Sequence, residues 1–261
     1  MAQCRETSDR RSLGYRGCHC IEHVCYSRKR LRTFRKKCGQ ISYGYCRHRT
    51  MKTLSPNTGL TRLYDFFNTT GLERLSGLDR SYFEGLSDNE KLEAWNFLKN
   101  NFPSSGDKIA GLFLLNARKA LDLFKEQVVL PLEEDLYPED RREMEENRML
   151  MLRYIVALDK DEKYVDLMNT FAMSEFDNVR ADFAEYLPVW GATIRSLEIL
   201  KGMIFTETKT IPISSAIRKF MAIYGLDSST DETRYKALYR ALRLGNERER
   251  IAAITQIESR T

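Results

Sequence analysis

The chain has 261 residues, 42% of them apolar and 30% charged, with 42 Lys and Arg against 37 Asp and Glu for a net charge of +5. That is enough apolar material for a sizeable core in one domain or two. No apolar run approaches the ~20 residues of a membrane-spanning helix, and no leader with a 7–15-residue apolar stretch follows the basic start, so a cytoplasmic protein is expected.

The averages conceal a break at Met51. Residues 1–50 hold 13 Lys and Arg against 3 Asp and Glu, whereas residues 51–261 hold 29 against 34. All six cysteines (Cys4, Cys18, Cys20, Cys25, Cys38, Cys46) and all three histidines (His19, His23, His48) lie in the first part. Four residues separate Cys20 from Cys25 and twelve lead on to Cys38, which suggests a zinc module. The second ligand pair fails that pattern, because seven and nine residues intervene before Cys46 and His48 where three to five are expected. A segment this basic could otherwise serve as a nucleic-acid or membrane-surface arm, yet it is too polar to build a core alone. The expectation is a disordered basic segment over 1–50, or sequence upstream of a start at Met51, followed by one domain over 51–261.

From residue 54 onwards apolar residues recur at helical spacing. In "SDNEKLEAWNFLKNNFP", Ser87 and Glu90 form a capping box, Leu92, Trp95, Leu98 and Phe102 share a face, and Pro103 ends the helix. The segment "GDKIAGLFLLNARKALDLFKEQVVLP" reads as one long helix, apolar on two sides and so sandwiched between layers. After the acidic link "LEEDLYPED" comes a charged helix over 139–158 with Met144, Met151, Leu152 and Ile155 inward, then a short one carrying Tyr164, Val165, Met168 and Phe171. Ser174 with Asp177 predicts the next start, with Val179, Phe183, Tyr186 and Leu187 inward. "TIRSLEILKGMIF" presents Ile194, Leu197, Leu200 and Ile204. A helix after Pro212 buries Ile217, Phe220, Met221 and Tyr224 and is capped at Gly225. The last two bury Tyr235, Leu238, Tyr239 and Leu242, then Ile251, Ile254 and Ile257 behind an Asn246–Glu249 cap. All six prolines fall at boundaries, and no alternating strand with a hairpin turn is visible. The fold class predicted is all-α, either a helical-repeat solenoid or an irregular multi-helix domain of roughly 8–10 helices.

Three segments, 87–130, 174–205 and 231–259, read as helix pairs that bury a face only by stacking on the next pair. The pair "YKALYRALRLGNERERIAAITQIES" resembles a HEAT-like repeat, and the resemblance covers about half of residues 51–261. It implies a protein-binding scaffold. Small bacterial members of such families include immunity proteins that neutralise toxins and a DNA-glycosylase group.

After residue 48 there is neither Cys nor His, so cysteine nucleophiles, histidine acid–base catalysis and Glu-x-x-His di-iron sites are excluded from the body. Walker, Rossmann and GxSxG patterns are absent. No catalytic residue, metal ligand or cofactor is expected. The richest carboxylate group is Glu133, Glu134 and Asp135, followed by Glu139, Asp140, Glu143, Glu145 and Glu146. It would face a basic protein, such as a cationic toxin domain, or a hard cation, or else merely complement a helix dipole and stay solvated. Tyr137 and Trp190 are the aromatics expected to be partly exposed, as interface anchors or as seals between helix pairs. The candidate binding residues are therefore Glu133, Glu134, Asp135, Tyr137 and Trp190, in a non-enzymatic protein-interaction module with immunity as its most concrete form. The alternative is a HEAT-like nucleic-acid-binding or base-repair protein using Arg234, Lys236, Arg240, Arg243, Arg248 and Arg250. The interspersed Glu232, Glu247 and Glu249 dilute that stripe.

Overall fold

The structure, a computed structural model, describes residues 59–259 apart from 71–73, 75, 101, 133, 134 and 230. The readings made for residues 1–50 lie outside the described residues. Those that are described belong to one compact unit, Thr53–Thr261.

Among the described residues there are eleven α-helices and no strand. They are α1 (Gly59–Asn68), α2 (Asp88–Lys99), α3 (Gly106–Leu115), α4 (Ala117–Val128), α5 (Pro138–Leu158), α6 (Glu162–Asn169), α7 (Asp177–Tyr186), α8 (Ile194–Thr206), α9 (Thr210–Ile223), α10 (Glu232–Leu244) and α11 (Glu247–Glu258). The fold is all-α. Helices α1 to α6 pack in succession, as do α8 to α11; α3 also packs on α5, α5 on α7, α7 on α9, and α6 on α8. Met149, Met151, Leu152 and Ile155 of α5, Phe183 of α7 and Phe220 of α9 are wholly buried where these helices meet. Each such side chain stabilises the fold by about 1.5–3 kcal/mol.

Local chemistry explains the helix ends. Both expected capping boxes form: Ser87 with Glu90 at α2, and Asn246 with Glu249 at α11. Gly225 adopts φ +69° after α9, and the Leu226 N–H reaches back to Met221 O at 3.0 Å. This is the reversal that glycine permits without a Cβ clash. Pro138 opens α5, and Pro103, Pro131 and Pro188 lie outside helices.

Three expectations are corrected. Residues 106–128 form two helices, because Asn116 leaves the helical region (φ −156°, ψ 91°) and serves both ends: its N–H caps α3 on Leu112 O, and its Oδ1 accepts from Lys119 N at 3.1 Å. The segment Ser87 to Leu130 is thus three helices and not a pair. Ser174 does not cap α7, whose N-cap residue is Phe176; the Ser174 hydroxyl is engaged by Glu145 instead. Leu92, Ile194 and Ile251, expected inward, are exposed. All three lie in the first half of their helices, and Ile194 is the opening residue of α8. In each helix burial falls on residues further along: Trp95 and Leu98, Leu200 and Ile204, Ile254 and Ile257.

Candidate functional site

Of the residues singled out in the sequence, Glu133 and Glu134 lie outside the described residues. Asp135 sits in an exposed turn. Tyr137, immediately before α5, is 76% exposed, and Trp190, in the short 3-10 turn Val189–Gly191, is 40% exposed. Neither aromatic lines the cleft described next.

Helix α5 sorts the downstream acids onto two sides by its 3.6-residue period. Glu145 points inward and is only 4% exposed. Its carboxylate accepts from Arg141 Nε at 3.2 Å and from the Ser174 hydroxyl, tying α5 to the start of the α7 region. Glu145 is therefore a structural acid and not part of a binding face. Glu139, Glu143 and Glu146, spaced i, i+4 and i+7, line a cleft together with Asp140 and Arg142.

This cleft encloses about 610 Å³ between the start of α3 (Ser105, Gly106), α5, and α7 (Asn178, Asp182, Tyr186). Within it Glu146 accepts from the Asn178 side-chain amide and lies 3.7 Å from Arg142 Nε. Asp182 is partly buried on the apolar side of α7, in line with Val179, Phe183 and Tyr186. Burial, reinforced by the charge of Glu146, pushes its carboxyl from 3.8 up to about 6; the Tyr186 hydroxyl, hydrogen-bonded to it, and Arg153 partly oppose the rise. Arg153 also stacks over the Tyr186 ring at 4.7 Å. A second, shallower groove lies between α1 and α2, where the Tyr64 hydroxyl donates to Glu93 at 2.9 Å and burial pushes its pKa up to about 12.

Among the described residues, no group of three or more His, Cys, Asp or Glu is placed to hold a metal ion. The cleft carboxylates therefore form a field of negative charge and not a coordination shell. Nor do the described helices include one long and apolar enough to cross a membrane.

The basic stripe of the last two helices comes apart in three dimensions. Arg250 donates to Ile204 O at 2.8 Å, Arg243 to the Thr210 hydroxyl at 3.4 Å, and Lys236 pairs with Glu232 at 2.6 Å. Arg240 and Arg248 stay exposed, with Glu247 and Glu249 beside the latter.

No protein-family model matches this chain, and no curated protein or solved structure matches it either.

Asp182 escaped the sequence reading, since Glu146, the charge that most reinforces its shift, is 36 positions away. One signal was available. A carboxylate falling within an otherwise apolar helical stripe (Val179, Asp182, Phe183, Tyr186) has to be paired, desolvated or functional.

Proposed function

We propose that the chain is a non-enzymatic protein-interaction module whose binding face is the acidic cleft of α3, α5 and α7, with neutralisation of a basic toxin domain as its most concrete form. The observation that supports this is that Glu139, Glu143, Glu146 and Asp182 line one cavity in which, among the described residues, Arg142 is the single basic side chain. A concentration of one charge sign in a concave, partly desolvated site attracts and orients an oppositely charged partner. Tyr137 adds an exposed aromatic at the head of α5, outside the cleft lining. The nucleic-acid alternative has less support, since much of the C-terminal basic stripe is engaged with the protein's own groups.

The test is capture from native lysate on the immobilised full chain, followed by cross-link mapping. A stoichiometric protein partner should be recovered with cross-links in α5 and α7, and Glu139→Lys with Glu143→Lys should abolish its recovery. A partner retained by that double variant, or none in repeated trials, would count against the reading.

A further inference from the structure

We propose that the paired tips of the α8–α9 and α10–α11 hairpins form a docking surface for an anionic lipid bilayer. The surface shares no residue with the acidic cleft and stands independently of the protein-binding reading.

Two hydrogen bonds hold the tips side by side. Arg243, at the end of α10, donates to the Thr210 hydroxyl at the start of α9 at 3.4 Å. Arg250, in the first turn of α11, donates to Ile204 O in the last turn of α8 at 2.8 Å. The residue that follows each of these four is a large apolar side chain left in solvent: Phe205 is 37% exposed, Ile211 68%, Leu244 72% and Ile251 50%. Apolar side chains gathered at one edge and rimmed by charge mark a contact with another protein or with a membrane. These four come from the ends of four helices, so no one helix offers the i, i+3, i+4 stripe along which a partner helix packs. A bilayer boundary is flat and yields to each side chain separately, so it takes all four together.

Charge decides the kind of lipid. Within the tips, residues 205–211 and 240–251, the side chains of Lys209, Arg240 and Arg248 are exposed and make no hydrogen bond or ion pair among the described residues. The acids there are mostly engaged. Glu207 is tied to Arg180 at 2.7 Å, and Glu249 accepts from the Asn246 N–H at 2.8 Å, which leaves Glu247 as the free carboxylate. Three free cations against one free acid complement the headgroups of an anionic leaflet. Long Lys and Arg stems lie along apolar surface with the charge held outward, so the apolar side chains enter the headgroup boundary while Lys209 and Arg248 meet lipid phosphates.

The experiment is hydrogen–deuterium exchange of the full chain with vesicles of mixed phosphatidylcholine and phosphatidylglycerol, against vesicles of phosphatidylcholine alone. Exchange is read segment by segment, which separates binding through the tips from binding through the basic residues 1–50. Peptides covering 205–211 and 244–251 should be protected on the anionic vesicles and not on the neutral ones. Their protection should fall about tenfold in Ile211→Ser with Leu244→Ser, which removes two of the inserted side chains. It should fall about fivefold in Arg248→Gln, the loss expected for one cation at an anionic surface. Arg248 has no partner in the fold, so this variant keeps the test open should the serine pair lower the unfolding midpoint. Unprotected tips on anionic vesicles, equal protection on neutral ones, or protection unchanged in Arg248→Gln would overturn the assignment. Protection that needs no vesicle and grows with the concentration of the chain would place a second copy on the tips. Protection by soluble polyglutamate but not by vesicles would place an acidic protein segment there, and either result overturns the membrane assignment.

Discussion

The α5–α7 cleft and the α10–α11 pair are both dense in charge, yet the fold treats them in opposite ways. In the C-terminal pair, Arg243 and Arg250 reach across to α9 and α8 and bond a hydroxyl and a backbone carbonyl. Around the cleft, the acids of one α5 stripe meet too few donors and face an open cavity. Charge density in a sequence thus identifies where charge is, while three-dimensional pairing decides whether any is left for a partner.

Substitutions can break that contrast in graded steps. The largest effect is expected at Glu145, the acid that does not belong to the cleft. Glu145→Ala leaves the Ser174 hydroxyl without its acceptor and Arg141 with only the looser Glu175 pair at 3.7 Å, and should cost about 2–3 kcal/mol, read as a lower midpoint in denaturant unfolding. Arg250→Ala removes the donor to Ile204 O and should cost about 1–2 kcal/mol by the same measurement. If it proves neutral, the C-terminal charges are not structural and the contrast fails.

Asp182→Asn should act in the opposite direction and with a pH signature. The folded-state pKa of Asp182, about 6, lies above its ordinary value of 3.8, so the folded protein binds the extra proton more tightly than the unfolded chain. Stability from this group is therefore present at low pH and is lost as pH rises through about 6. The asparagine variant avoids that loss and keeps an acceptor for Tyr186. Above pH 7 it should be more stable than the parent by about 1 kcal/mol, a figure reduced for the partial solvent exposure of the site. The gap should close as pH falls towards 4, and melting temperatures measured across that range check it. The smallest effect is expected for Glu143→Gln and Arg240→Gln, both exposed, each within about 0.5 kcal/mol of the parent.

Much of the helical architecture was legible because its signals are local. Ser87–Glu90 and Asn246–Glu249 are reciprocal caps within one turn, and Gly225 follows a helix whose apolar face ends at Tyr224. Other features required tertiary context. Asn116 divides α3 from α4 while apolar spacing runs on across it, so periodicity masked the break. Ser174 had the spacing of a cap, but the buried carboxylate of Glu145, 29 residues earlier, takes its hydroxyl. The candidate site was half visible for the same reason. The acids of α5 are contiguous in sequence, whereas Asn147, Asp182 and the start of α3 converge on them only once α3 and α7 are packed in place.

The packing order of the helices, each against its successor or the helix after that, also bears on how the chain comes to fold. Contacts between near neighbours close short loops, whose entropic cost grows only as about 1.5 RT times the logarithm of their length. Such a topology has low contact order, and helices can dock on those already made while the remainder is still being synthesised. In that sequence of events the cleft is complete once α7 has docked on α5, before α8 to α11 have formed. The surface proposed to meet the partner is therefore assembled with about the last quarter of the protein still to be added.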